Sequence, residues 1–302
     1  MIVALLFLAA TLRISVPYVL AALGSSISER GGVICMALEG IMLVGALAYT
    51  LGAYFTGNAY AGIACALLAG AFTAWLHAEA TVRFRADQIT TGLGLNLLAA
   101  GLTRFVLVRV FHSSSNSPRV PGLPELPLGA LAKLPAVGTL LVSPLILTTI
   151  VLVVLVQLLL FRTVFGLRLR AIGERPEAAA TLGLSVKAYR FAGVLICGAL
   201  ASLGGAWLAS EQHSFTDGMT GGRGYIALAA MIVGKWNPAG AAAACLLFGA
   251  AEALQITLQG SAFPSELLQA LPYVVTMLVL AGFIGRAVAP GAVGTPYDPE
   301  AG

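Results

Sequence analysis

The sequence predicts an all-α fold, a polytopic membrane helix bundle of about 8–10 transmembrane or re-entrant helices at roughly 20 apolar residues each. Three observations predict it. Of 302 residues, 59% are apolar and 10% charged, where a soluble domain is nearer to about a quarter charged. The mean hydropathy is +0.92. The apolar residues come in runs rather than in the short alternating segments of a membrane β-barrel. Glycine is abundant, 35 of 302, and small residues let membrane helices approach closely.

Taken in order, the runs predict spans over 3–23, 33–55, 58–79, 90–111, 143–161, 190–210, 221–235, 237–257 and 267–286. The first reads as an uncleaved span, because it has no basic leading region and Arg13 interrupts it. The fifth, "SPLILTTIVLVVLVQLLLF", carries no charge. The 221–235 run is short for a full crossing and is therefore tilted, broken or re-entrant. The loop 112–141 carries prolines at 118, 121, 124, 127 and 135, which oppose a regular helix, yet it is too apolar for a plain solvated loop. It is expected to lie at the interface or to cap a path. Residues 289–302, "APGAVGTPYDPEAG" from position 289, are rich in Pro and Gly and predict a disordered tail.

The distribution of Lys and Arg orients the chain. With the loop 162–189 in the cytoplasm, that side receives Arg30, Arg83, Arg85, Arg162, Arg168, Arg170, Arg175, Lys187, Arg190, Lys235 and Arg286. The outer side receives Arg109, Arg119, Lys133 and Arg223. The expected topology has the N-terminus outside and the C-terminus cytoplasmic. The excess of basic residues is thereby explained by topology, and nucleic acid is not an expected partner. Cys35, Cys65, Cys197 and Cys245 are scattered without a C-x-x-C spacing and read as packing residues. His77, His112 and His213 make no metal pattern.

The loop "GLRLRAIGERPEAAATLGLSVKAYR" at 166–190 concentrates five basic and two acidic side chains: Arg168, Arg170, Arg175, Lys187, Arg190, Glu174 and Glu177. Within it, "RPEAAATLG" predicts a short helix. Pro176 suits the first helical position, Glu177 favours the helix dipole, three alanines follow, and Gly183 supplies a left-handed terminus. Ser185 then caps the next helix. A helix of two turns is too short to stand alone. It needs a partner surface, or else the segment is an ordinary basic loop.

This segment, followed by "GALASLGGAWLA", resembles the cytoplasmic coupling segment of ABC-importer permeases, in particular the nucleoside and simple-sugar branch of the branched-chain amino-acid/ribose permease superfamily. Three more stretches resemble the family in the same order: "PYVLAALGSSISERGGVICMALEGIMLVGAL" from Pro17, "ADQITTGLGLNLLA" from Ala86 and "GRGYIALAAMIVGKWNPAGA" from Gly222. The chain departs from the family at Cys35, where Asn is common. The resemblance implies one transmembrane permease domain over 1–288 with a coupling loop at 162–189. It implies that Arg170, Glu174, Arg175, Pro176, Glu177 and Ala178 dock an ABC ATPase subunit. It implies three partners in a bacterial inner membrane: that ATPase, which would bind ATP and Mg, a second homologous permease, and an extracytoplasmic solute-binding protein. The cargo implied is a nucleoside or simple sugar, with ribose-like sugars or branched-chain amino acids as the alternative.

The chain itself shows no G-x-x-x-x-G-K-[ST]; Gly234-Lys235 is followed by Trp236. It also lacks H-E-x-x-H and G-x-S-x-G. No catalytic residue, metal ligand or cofactor site is expected. Ionisable residues inside spans are costly and face protein or water, so Glu39, Asn96, Glu252 and Gln255 are the candidates for a translocation path. Glu39 either pairs with Arg13 or Arg104 or lines the path. Asn96 either bonds across helices or lines it. Glu252, Gln255 and Gln259 form a polar stripe. Trp207 is expected in an interfacial aromatic belt. An ion-coupled secondary transporter would use Glu39 and Glu252 instead and need no docking helix.

Overall fold

The computed structural model describes residues 2–124, 126, 143–259, 270, 274–275, 277 and 288–298. Ten α-helices lie among them: α1 Ile2–Arg30, α2 Leu38–Thr56, α3 Ala59–Ala78, α4 Gln88–Phe111, α5 Pro144–Arg162, α6 Val164–Glu174, α7 Pro176–Thr181, α8 Val186–Gln212, α9 Arg223–Val233 and α10 Pro238–Leu258. A π-helical turn, Glu79–Arg83, continues α3. Seven helices of the described residues (α1 to α5, α8 and α10) are long and apolar enough to cross a membrane. The predicted span 267–286, most of the 112–141 loop with Lys133, and Arg286 lie outside the described residues.

Helix ends follow the side-chain chemistry. Asn58, Asp87, Thr163, Ser185 and Asn237 each accept a hydrogen bond from the first turn of the helix they precede. Pro176 and Pro238 occupy first-turn positions.

α8 is the central post, packed against α1, α2 and α3. Its sequence allows this: a Cβ at Gly45 of α2 would come within 2.6 Å of Ser202 Cα, and one at Gly24 of α1 within 2.8 Å of the Cys197 carbonyl. Without a hydrophobic drive between helices in lipid, such backbone contacts supply the association. α4 is the opposite case, exposing Leu97, Leu98, Leu102 and Phe105 along one face. Trp207 is buried at 4% exposure beside Arg13 and Pro17 of α1, rather than on a lipid-facing aromatic belt.

The loops gather at two ends. At one, 113–123 is seated on the bundle: Asn116 bridges Thr216, Val120 N donates to the His213 carbonyl at 2.8 Å, and the Tyr49 hydroxyl donates to the Pro121 carbonyl at 2.9 Å. At the other lie Arg30, Arg85, α6, α7 and the segment 288–298. This last segment corrects the expectation of a disordered tail. Ala292 N donates to the Gly173 carbonyl at 2.8 Å, Gly294 N to the Gly32 carbonyl at 3.3 Å, and Arg85 pairs with Asp298 at 2.7 Å. Backbone amides make most of these contacts, and composition does not register them.

Candidate translocation site and docking surface

The run 221–235 forms an 11-residue helix, α9, about 16 Å long at 1.5 Å per residue and so about half of a ~30 Å hydrocarbon core. It is a half-helix. Its N-cap, Gly222, has φ 84, and Gly221 has φ 53, a left-handed entry that glycine takes without cost.

Three of the sequence candidates, on three different helices, converge on the first turn of α9. Glu39 of α2 accepts from Gly222 N at 2.8 Å and from Gly224 N at 2.7 Å. A Cβ at Gly224 would come within 2.5 Å of Glu39 N, so the close approach requires glycine. Asn96 of α4 accepts from Gly40 N at 2.8 Å and donates to the Met36 carbonyl at 2.9 Å and the Tyr225 hydroxyl at 3.0 Å. Glu252 of α10 pairs with Arg223 at 2.7 Å and accepts from the Tyr18 hydroxyl. Gln255 is half-buried one turn beyond Glu252 and joins none of these bonds.

Glu39 does not pair with Arg13 or Arg104. Arg13 pairs with Glu211 and Arg104 with Asp217, while Glu39 caps a helix N-terminus. The unpaired amides and the positive dipole end there suit a carboxylate. A cavity of about 210 Å³ adjoins this network, lined by Arg13, Pro17, Trp207, Glu211 and Arg223 among others.

The far end of α9 is held as firmly. Lys235 and Trp236 have φ of 57 and 54, the left-handed region that is strained for residues with a side chain. Arg30 holds both, donating to the Trp236 carbonyl at 2.9 Å and the Lys235 carbonyl at 3.2 Å. The Trp236 indole N–H donates to Glu29 at 2.7 Å. Sequence reasoning missed Arg223, Tyr18, Tyr225, Glu29 and Trp236 as members of these contacts. The adjacent acid and base Glu29 and Arg30, at the end of α1, were the available signal for the second group.

Arg30 also links to the candidate docking segment. Its guanidinium lies 5.8 Å from the Phe161 ring centroid, and that of Arg170 lies 4.8 Å from the same ring. Gly173 packs against the Arg30 carbonyl. Of the six docking candidates, Arg170 is half-buried and Pro176 buried, whereas Glu174, Arg175, Glu177 and Ala178 are exposed. Glu174 accepts from Gly291 N at 3.1 Å. Leu182, at 82% exposure, extends the open face of α7, and Gly183 ends the turn at φ 80, as its sequence position predicts.

A multi-pass helix bundle, a half-helix capped by a half-buried carboxylate, and an exposed amphipathic turn at the basic end together define a membrane permease. Over residues 7–280 the chain matches the family described as branched-chain amino acid transport system / permease component, and it belongs to that family, as a permease subunit of an ABC transporter. It is 39% identical to the guanosine ABC transporter permease protein NupQ of Bacillus subtilis, covering 95% of each chain. It is 42% identical to the nucleoside ABC transporter permease protein NupC of Lactococcus lactis, covering 94% of this chain and 93% of the relative. With the glucose ABC transporter permease protein TsgB13 of Haloferax volcanii it shares 26% identity over 90% of this chain and 76% of the relative. No solved structure matches the chain.

Proposed function

We propose that this permease subunit carries nucleosides through a bacterial inner membrane as part of an ATP-driven importer. The observation that carries the reading is the convergence of Glu39, Asn96 and the Arg223–Glu252 pair on the N-terminus of α9. Every charge there has a partner in place, and the hydrogen-bonding groups suit a neutral, polar cargo. The nucleoside- and guanosine-named relatives support that cargo class. A simple sugar is the second reading, favoured by the glucose-named relative.

In this reading the basic end faces the cytoplasm, the N-terminus lies outside, and the tail lies inside. Arg170, Glu174, Arg175, Pro176, Glu177 and Ala178 form the element that seats in an ATPase subunit, which binds ATP and Mg; the permease chain hydrolyses nothing. A second homologous permease and an extracytoplasmic solute-binding protein complete the assembly. Movement of α6 and α7 reaches Arg30 through Gly173 and the shared Phe161 ring. Arg30 carries it to the Lys235–Trp236 turn, and α9 carries it to Glu39 and Asn96. Gln255 lies next along α10 from Glu252 and extends the polar wall.

The test is purification of the chain from native membranes in mild detergent, followed by reconstitution. The expected outcome is a co-purifying protein with a Walker A motif and uptake of labelled guanosine that needs ATP and a solute-binding protein. Recovery of the chain alone, still transporting on an ion gradient without ATP, would replace this reading with an ion-coupled transporter centred on Glu39 and Glu252.

A further inference from the structure

We propose that residues 288–298 form a strap that positions the docking segment, and that Arg190 is the residue anchoring this strap to the bundle. The inference rests on the reading of 162–189 as the docking segment.

The strap touches three elements and ties them by hydrogen bonds and an ion pair. Its first contacts are with the end of α6. Helices end with carbonyls that have no partner within the helix, and Ala292 N–H supplies one to Gly173 at 2.8 Å. Gly291 N–H supplies another donor, to the Glu174 carboxylate at 3.1 Å. The strap thus adds to the local cap of α6, where Arg175 N donates to the Ala171 carbonyl at 3.0 Å, by bonding the Gly173 carbonyl and the Glu174 side chain. Its second contact is the α1–α2 turn, through Gly294 N and the Gly32 carbonyl at 3.3 Å. Its third is Arg85, beyond the π-helical turn, through Asp298 at 2.7 Å. Tyr297 packs against the small cluster of Ile172, Ala179 and Val186, which joins α6, α7 and α8. The fold of the strap itself is a pair of turns, Val293 N to the Pro290 carbonyl at 3.1 Å and Thr295 N to the Ala292 carbonyl at 3.3 Å, with Gly294 at φ 77. The Pro and Gly content that suggests disorder is what these turns need.

Arg190 gives the strap a structural necessity. It sits in the second turn of α8, 2% exposed. Its Nη1 donates to the Thr295 carbonyl at 3.0 Å, while Nε and Nη2 are buried without partners among the described residues. A buried guanidinium is costly unless paired or bonded, and the strap provides the hydrogen bond it has. α7 has six residues, too few to hold their own conformation. Without the strap, the docking turn keeps its apolar seat and the Gly173–Arg30 contact but loses the hydrogen bonds that run through the strap to the Gly32 carbonyl and Arg85.

The experiment compares three chains purified in detergent: the intact chain, a deletion of 289–302, and the same deletion carrying Arg190→Met. Amide exchange over 166–185 is measured on each, and ATP-driven uptake on each assembled with its partners. The deletion is expected to speed exchange on α6 and α7 about tenfold while α2 and α3 stay protected, and to cut uptake by a similar factor. Arg190→Met is expected to restore yield and melting temperature to the deleted chain, because the buried charge is gone, but not slow exchange on α6 and α7. If the deletion alone does not fold, the double variant carries the measurement. Unchanged exchange over 166–185 in the deleted chain, or in the double variant, would overturn the proposal. If uptake by the intact assembly proves independent of ATP, the docking reading fails, and the exchange data still decide the strap.

Discussion

The charges at the half-helix and the charges on the proposed docking turn are the same residue types living under opposite rules. Arg223 and Glu252 are a quarter exposed or less, 25% and 16%, and each has its bonds accounted for within the bundle. Glu174, Arg175 and Glu177 stand exposed, and among their side chains the described residues show one hydrogen bond, from Gly291 N to the Glu174 carboxylate. A charge withdrawn from water must be bonded, because desolvation otherwise dominates. A charge left in water is free to wait for a partner molecule. The interior set therefore holds the fold in one arrangement, and the exposed set is available for recognition.

That contrast can be broken in three places, beginning with the largest effect on stability. Arg223→Met strands the Glu252 carboxylate beside Tyr18 and should cost about 3 kcal/mol. Adding Glu252→Gln should return most of it, as read from melting of the detergent-solubilised chain; no recovery would mean that Arg223 acts through its carbonyl contacts to Met219 and Thr220 rather than through the pair. Asn96→Leu removes three bonds from α4, to Gly40 of α2, to Met36 just before α2 and to Tyr225 of α9, and hydrogen bonds between membrane helices are each worth roughly 0.6 kcal/mol. It should lower the melting temperature modestly and free the Tyr225 hydroxyl, seen as faster exchange at the start of α9. Glu177→Ala should change stability by less than about 0.5 kcal/mol, the usual range for an open surface, while reducing ATP-driven uptake several-fold. A loss of stability there with uptake intact would reverse the distinction between the two regions.

Much of this architecture is readable from residues alone, and the exceptions share a cause. The apolar runs locate the helices because a bilayer demands length and hydrophobicity and little else. Pro176, Gly183 and Ser185 specify the short helix α7 and its exit because each fixes a local backbone geometry. Glu39 is recognisable as a residue that must have a partner, but its partners are two backbone amides, and sequence shows only side chains. A reader looking for its counter-charge finds Arg13 and Arg104, which Glu211 and Asp217 already hold. The usable hint was the "GGRGY" glycine run ahead of a helix too short to cross: a half-helix presents its N-terminus inside the membrane, where an acid can meet it. The tail fails as a prediction for the same reason, since the strap is tied mainly through main-chain groups.

The half-helix has an electrical consequence. Moving one elementary charge through the membrane field costs about 2.3 kcal/mol per 100 mV. Arg223 of α9 is balanced by Glu252 of α10, and a helix dipole has no net charge, so a displacement of α9 and α10 past a stationary Glu39 on α2 carries almost no net charge through the field. Gating built this way should proceed at the same rate in energised and depolarised vesicles. It would leave the ATPase cycle, rather than membrane voltage, in control of when the path opens.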